Sequence, residues 1–491
     1  MSASISVDVA VVGAGIAGLA AAHRLVSSAP DDASRRPLRV VVLEADTRVG
    51  GKIRTEDFEG IPLDVGPDAF LARVPEATAL ARAVGLGDDL VAPAAAQAWL
   101  WWRGRLRKLP DGLVLGVPSG ILDLARSGIL SPLGLARAAA DLVLPASPPP
   151  AIGAGDEAVG DLILRRLGAE VLDRLVDPLL GGIHAGWCGG LSLEATAPQI
   201  GAAARSHRSL LVGLGRAGAA NAAASKASTE ATVAAPVFWS VRGGLARLVD
   251  AVAGALAGRA EIRTGWAVAG LHPDTRSAGW ILRGPGGEQV HAATVILAVP
   301  APAAARLLQG VAPGPASALA NIVHASVTMA TISYPAEAWT RPLPGSGFLV
   351  PRGQGHLTTA CSWASAKWPN AAVRGHLVLR VSSGRVGDER VMGMGDDEVV
   401  DRLHDEVATA MGVSARRPLT TRVTRWPAAF PQYGTGHLGF VDSIEEGLAR
   451  EAPGIALAGG AYRGVGIPAC IGSGQRAADA VTVQVRVTAS A

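Results

Sequence analysis

Val7-Asp8-Val9-Ala10-Val11-Val12-Gly13-Ala14-Gly15-Ile16-Ala17-Gly18-Leu19-Ala20-Ala21-Ala22-His23-Arg24-Leu25 decides the fold of this 491-residue chain. A short β-branched run ends in a glycine cluster, and apolar residues at helical spacing follow. The segment reads strand, tight turn, helix. Gly13 permits the turn, Gly15 lets backbone approach a pyrophosphate, and Gly18 lets the helix pack on the strand. Phosphates belong on the helix N-terminus, where unpaired N–H groups and the dipole favour anions. A GxGxxG pattern alone is a weak signal. Here a second strand, Leu38 to Leu43, ends in Glu44, 26 residues beyond Gly18. A carboxylate there accepts the two hydroxyls of an adenosine ribose, and no Arg follows at once to receive a 2′-phosphate, which disfavours NADP. The polar stretch Ser27 to Pro37 reads as a loop insert that lengthens the gap.

Composition bounds what else the chain can be. With 49% hydrophobic and 18% charged residues it is globular, and its length suits two or three domains around a large core. A net charge of +3 excludes a general polyanion binder, so no nucleic-acid partner is expected and anionic ligands must be met locally. Cys188, Cys361 and Cys470 show no CxxC spacing, so neither a disulfide framework nor a metal site is expected. The N-terminus lacks a basic leader and carries Asp8 within its apolar run; no stretch reaches 18 uncharged apolar residues. The expectation is a cytoplasmic, soluble protein with peripheral membrane contact left open. Eleven Trp against three Tyr and six Phe is unusual, and core packing accounts for most of them.

Immediately after Glu44, Arg48-Val49-Gly50-Gly51-Lys52 resembles the second fingerprint of the large flavoprotein superfamily that includes amine oxidases and protoporphyrinogen oxidases. Its physical sense is a second glycine turn along the same pyrophosphate with a basic side chain nearby. An NAD enzyme has no use for it, so the resemblance implies FAD.

Further along, Asp64 to Phe70 carries a Gly-Pro bend before a helix at Glu76 to Val84. Trp99 to Pro110 reads as a hairpin turning at Arg103-Gly104, with its charges on a solvated face. From about Ile121 to Ile200 the pattern is helical, with Pro-rich breaks at Pro145 to Pro150 and a glycine-laden loop at Gly181 to Gly190. Gly215 to Ala235 is Ala/Ser-rich and reads as a flexible linker. A helix is expected to begin within Val237 to Leu245 and run to about Leu256. Strands at Glu261 to Leu271 and Ala293 to Pro300 return to the nucleotide sheet. The expected fold class is α/β: a Rossmann-like FAD-binding domain built from discontinuous segments (1–92, 240–302 and 425–491). A mixed α+β substrate domain (93–111, 209–239 and 303–424) and a helical subdomain (112–208) complete it.

Near the C-terminus, Gly454 to Gly460 is a strand running into a glycine turn, and Ala461 to Gly474 leads into a helix from Gln475. Together with Gly66 to Ala69, Gly243-Gly244, and Trp426-Pro427 to Pro431-Gln432-Tyr433 with His437, this run resembles the oxygen-dependent protoporphyrinogen/coproporphyrinogen oxidase family from end to end. Tyr462-Arg463-Gly464-Val465-Gly466-Ile467-Pro468 is its most specific part. Gly460-Ala461 departs from the pattern, since relatives often carry other small or polar residues there.

The resemblance implies non-covalent FAD, with contacts from Gly13, Ala14, Gly15, Ile16, Ala17 and Gly18, from Glu44, Ala45 and Lys52, and from Gly66, Pro67, Asp68 and Ala69. It adds Val268, on a strand Trp266 to Leu271, then Trp426, Val465, Gly466 and Ile467. It implies oxidation of a porphyrinogen in heme biosynthesis, with dioxygen as acceptor, hydrogen peroxide as by-product and a ferrochelatase as product acceptor. Coproporphyrinogen III is the expected substrate: its four propionates need more cationic partners than the two of protoporphyrinogen, and Arg73, Arg425 and Arg463 lie near matched segments. Arg73 ranks first, with Tyr433 and His437 as further substrate candidates; no catalytic acid or base is nominated. Protoporphyrinogen oxidation, a flavin amine oxidase and a non-catalytic binding protein of the superfamily are the alternatives.

Overall fold

The opening segment folds as strand Ser4–Val12 and helix Ile16–Ser27. The computed structural model describes residues 4–27, 36–153, 155–227, 236–276, 278–339, 345–368, 371–373 and 375–488. The strand lies inside a seven-stranded sheet ordered Glu261–Arg263, Val40–Leu43, Ser4–Val12, Gln289–Leu297, Gly279–Arg283, Gly270–Asp274, with Ile455–Leu457 also pairing Gln289–Leu297. Its first four strands and Ile455–Leu457 run parallel, and the two strands of 270–283 run antiparallel. Buried on both faces, the parallel strands are rich in Val and Ile, as such sheets require.

Helices cover both faces. Ile16–Ser27, Ala246–Ala255 and Ile467–Thr488 supply one core, around Leu19, Leu248 and Ile471. Ala301–Leu308, Pro313–Ala320 and His437–Glu451 supply the other, around Leu308, Leu319 and Leu448. At the first core the long C-terminal helix presses on the first helix. A Cβ at Gly474 would stand 2.0 Å from the Ala17 carbonyl oxygen, so only glycine lets the two backbones approach this far.

A second seven-stranded sheet follows the order Thr420–Pro431, His324–Pro335, His376–Ser383, Thr358–Ser362, Gly347–Leu349, Ala98–Trp102, Arg105–Lys108. The hairpin at Arg103-Gly104 is present, with φ of 49° and 71° at its two central residues. The described residues of 121–206 form short helices around a core that includes Leu124, Leu162, Leu175 and Ile200. Within them Leu172–Gly181 is a π-helix carrying Pro178, which leads into the glycine loop.

Four expectations are corrected. The stretch read as a linker is helical over Leu210–Ala227, because alanine favours helix more strongly than low complexity argues against it; the remainder, 228–235, lies outside the described residues. Phe238–Val241 is a strand pairing Phe70–Leu71 and Leu90–Val91, and the helix begins only at Ala246. Glu261 to Leu271 is two strands, and Val268 sits half-buried in the loop between them. The domain cuts also move. Leu210, Leu211 and Leu214 pack in the helical core, Ala301 to Ile322 packs on the nucleotide sheet, and Thr420–Pro431 lies in the second sheet, crossing the cut at 425.

Candidate flavin site

All five parallel strands deliver their carboxyl ends to one edge of the first sheet, the position where open α/β sheets hold ligands. Gly13 follows Ser4–Val12, Glu44 follows Val40–Leu43, Gly265 follows Glu261–Arg263, Ala298 follows Gln289–Leu297, and Gly459 follows Ile455–Leu457. The three glycines of the first turn differ in what they do. Gly13 adopts φ of 101°, and a Cβ there would lie 2.6 Å from the Ala298 carbonyl oxygen; a Cβ at Gly18 would lie 1.9 Å from the Gly13 carbonyl oxygen. Gly15 alone of the three faces open space, with no atom of the described residues within 4 Å of its Cβ position. That space lies at the N-terminus of helix Ile16–Ser27, which carries no acidic residue in its first turn, so its dipole is left for an external anion.

The second glycine turn lies where its sequence implied. The Gly50 N–H donates to the Ala14 carbonyl at 2.8 Å, and a Cβ at Gly51 would meet the Gly15 Cα at 3.4 Å. Arg48 closes the turn from outside, donating to the Gly51 carbonyl at 2.7 Å. The Glu44 carboxylate accepts from the Ala14 N–H at 2.6 Å and from the Asp46 N–H at 2.9 Å, so it braces the first turn while remaining half-buried; Ala45 beside it is exposed. The Lys52 ammonium donates to the Ala429 carbonyl at 2.7 Å, which ties this turn to the second sheet.

Trp426 and the Gly66–Ala69 turn meet. The indole N–H donates to the Val65 carbonyl at 3.1 Å, and the ring edge comes within 3.6 Å of a Cβ built at Gly66. Pro67 and Ala69 are half-buried in the same bend. The Asp68 carboxylate is held inside the protein: Lys367 Nζ lies at 3.0 Å, Arg380 Nη1 at 2.9 Å and the Trp368 indole N–H at 3.0 Å. Burial pushes this carboxyl up, but Lys367 and Arg380 outweigh it and hold it well below its ordinary range. Arg380 also donates to the Gly66 carbonyl. Sequence reading missed Arg380, although a lone Arg within His-Leu-Val-Leu-Arg-Val-Ser-Ser (376–383) was a visible signal.

In the C-terminal turn Val465 is half-buried, Gly466 is exposed and Ile467 opens the last helix. Tyr433 supports it from below. Its hydroxyl donates to the Gly460 carbonyl at 2.5 Å and accepts from the Gly464 N–H at 2.8 Å. Its ring stacks on His437 at 4.0 Å, and His437 Nε2 bonds the Tyr462 carbonyl at 2.9 Å. Tyr433 is 0% and His437 5% exposed, and the hydrogen bonds of their polar atoms go to backbone. Arg425 and Arg463 are likewise spent, on Asp396 and on Asp442 with Glu445. Arg73 is exposed and makes no ion pair among the described residues. The Cys470 thiol, bonded weakly to the Val465 carbonyl at 3.9 Å, is pushed by burial up to about 11 and stays protonated. Among the described residues no group of His, Cys, Asp and Glu could hold a metal.

Two glycine turns stacked on a helix N-terminus, a braced acid at the next strand end and a third turn opposite form the seat of a long anionic dinucleotide, and the residues present fit FAD. The fold and site are those of a flavin-dependent oxidoreductase. The chain belongs to the family described as flavin containing amine oxidoreductase, which it matches over residues 16–482. It is 33% identical to the coproporphyrinogen III oxidase of Bacillus subtilis (strain 168) over 479 residues, covering 96% of this chain and 98% of that one. It is 36% identical to the coproporphyrinogen III oxidase of Mycobacterium bovis (strain ATCC BAA-935 / AF2122/97), covering 96% of each. A solved structure from Exiguobacterium sp. 255-15, named as a candidate protoporphyrinogen oxidase, superposes with a TM-score of 0.83 at 28% identity over 98% of this chain and 100% of that one.

Proposed function

We propose that this protein oxidises coproporphyrinogen III to coproporphyrin III in heme biosynthesis, with dioxygen as final acceptor and hydrogen peroxide as by-product. The observation that carries the reading is full-length similarity to two relatives bearing that name. When bound, FAD supplies the acceptor for hydride equivalents, drawn off repeatedly until the macrocycle is aromatic. The chain's own part is binding, orientation and exclusion of water. Glu44 and the two glycine turns hold the dinucleotide, and Tyr433 with His437 fixes the turn opposite.

The substrate's charge separates the two porphyrinogens. A tetracarboxylate needs more cations than a dicarboxylate, and of the three arginines near matched segments Arg73 is the one outside an ion pair. Steady-state kinetics with both porphyrinogens test the reading: faster turnover of coproporphyrinogen III is expected, and Arg73→Ala should raise KM for it more than for protoporphyrinogen. Preference for protoporphyrinogen overturns the substrate assignment and leaves the flavin oxidase standing.

Transfer of the product to a ferrochelatase and peripheral membrane contact are part of the same proposal. Exposed Leu122, Leu133 and Val143 on the helical region, 68%, 84% and 77% accessible, support the second. Among the described residues no helix is long and apolar enough to cross a membrane. Liposome flotation at low salt tests it, and a protein left wholly at the bottom of the gradient removes the membrane contact.

A further inference from the structure

Arg385 stands just past the end of the central strand His376–Ser383, where three parts of the molecule meet. On one side, Gly384 adopts φ of 93° and brings the backbone so close to His324–Pro335 that a Cβ would lie 2.7 Å from the Ser326 carbonyl oxygen. The next residue on that strand, Val327, pairs with Trp426 of the flavin cleft. On the other side, the Val386 N–H donates to the Ala185 carbonyl at 2.9 Å, which fastens the segment to the glycine loop 181–190. That loop abuts Gln432, whose amide donates to the His184 carbonyl at 2.8 Å, and it carries Ile183 and Trp187, 46% and 55% exposed. Arg385 therefore lies between the flavin-side strands and an exposed apolar loop.

Its charge is left over. The two nearest carboxylates serve other arginines: Asp177 receives Arg352 Nε at 3.0 Å, and Asp388 is gripped by Arg390 at 2.7 and 2.8 Å. Glu389 turns its carboxylate to the Ser326 N–H at 3.3 Å. Among the described residues the Arg385 guanidinium, half-buried, makes no hydrogen bond or ion pair. Burial, with the neighbouring Arg352, presses it below the ordinary arginine range, and the charges of Asp177 and Asp388 offset this only in part. A half-desolvated cation without a partner is costly, and a carboxylate arriving with a ligand relieves that cost.

We propose that Arg385 is a substrate-binding residue that receives one propionate of the porphyrinogen, while the exposed apolar loop beside it meets the macrocycle. The fork of a guanidinium suits a carboxylate, and a macrocycle with carboxylate arms presents the two chemistries this corner offers. The inference rests on the coproporphyrinogen reading and deepens it.

Binding of the product coproporphyrin III to holoprotein, followed by quenching of tryptophan fluorescence, tests it apart from turnover. The tetramethyl ester, which has the same ring without the charges, is the control ligand. Arg385→Gln should raise the Kd for coproporphyrin III about tenfold, the weight of one charge-assisted contact. Arg385→Lys, which keeps the charge and loses the fork, should fall between wild type and Arg385→Gln, and both variants should bind the ester like wild type. Should Arg385→Gln fail to fold, Arg385→Lys with the ester comparison and a salt titration carries the test: preference for the free acid that survives in Lys and weakens with salt supports the assignment. An unchanged Kd in a folded Arg385→Gln protein, or equal loss for acid and ester, overturns it. If wild type binds neither porphyrin, the substrate reading itself fails, which is a different result from binding that ignores Arg385.

Discussion

The Tyr433 hydroxyl hydrogen-bonds the Gly460 carbonyl at 2.5 Å, joining a residue at the end of the second sheet to the turn that closes the flavin cleft. The same oxygen accepts from Gly464, so one side chain fixes both limbs of the turn. Tyr462 lies in that turn itself, equally buried, yet among the described residues its hydroxyl has no hydrogen-bond partner. Tyr433→Phe should therefore leave a carbonyl and an N–H unpaired, at a cost of about 1–3 kcal/mol. Tyr462→Phe removes an unsatisfied hydroxyl and should be neutral or stabilising. Thermal unfolding of the two variants checks this, and equal losses would show that the distinction is wrong.

Gly15 and Gly18 should separate cofactor binding from folding. Gly15→Val places its side chain in open space, so the chain folds but fills the volume meant for the pyrophosphate, and the purified protein should be colourless. Gly18→Ala drives a methyl into the Gly13 carbonyl and should cost at the upper end of the roughly 1–3 kcal/mol expected for overpacking. Absorbance at flavin wavelengths, set beside circular dichroism, reads both. A yellow Gly15→Val protein would place the cofactor elsewhere.

Glu44→Ala should weaken FAD by about 1.5–3 kcal/mol, the range for hydrogen bonds to a charged acceptor. Because the carboxylate also braces Ala14 and Asp46, part of the loss comes from a looser glycine turn. Fluorescence titration of apoprotein with FAD measures it, and an unaltered Kd removes Glu44 from the site.

Asp64 links pH to stability. Burial raises its carboxyl to about 6, against the hydrogen bond from Thr55, the charge of Arg380 and the N–H of Leu245. A carboxyl with a folded-state pKa above its unfolded value of 3.8 stabilises the fold when protonated. Its contribution is complete below about 3.8 and is lost as pH rises through about 6, amounting to roughly 3 kcal/mol at most. Asp64→Asn keeps an acceptor for Thr55 and Leu245 without the charge. The gap in melting temperature in its favour should widen from pH 4 to pH 7; parallel curves would sink the assignment.

By itself the sequence determined the nucleotide half of this protein. Gly13 and Gly18 are legible because close backbone approach admits no other residue, and Glu44 because a strand end fixes where its side chain must stand. Those constraints are local, acting within one turn or one strand–helix unit, so spacing alone reveals them. Tertiary structure decided the rest. It made Leu210–Ala227 a helix and moved Val268 off its strand. It also spent Tyr433, His437, Arg425 and Arg463 on internal partners, which no spacing could disclose. Arg380 and Arg385 sit five residues apart on and just past one strand, identical in chemistry. Packing gives the first a carboxylate and a carbonyl and, among the described residues, leaves the second with neither, because which partner a long charged side chain meets depends on elements far away in the chain.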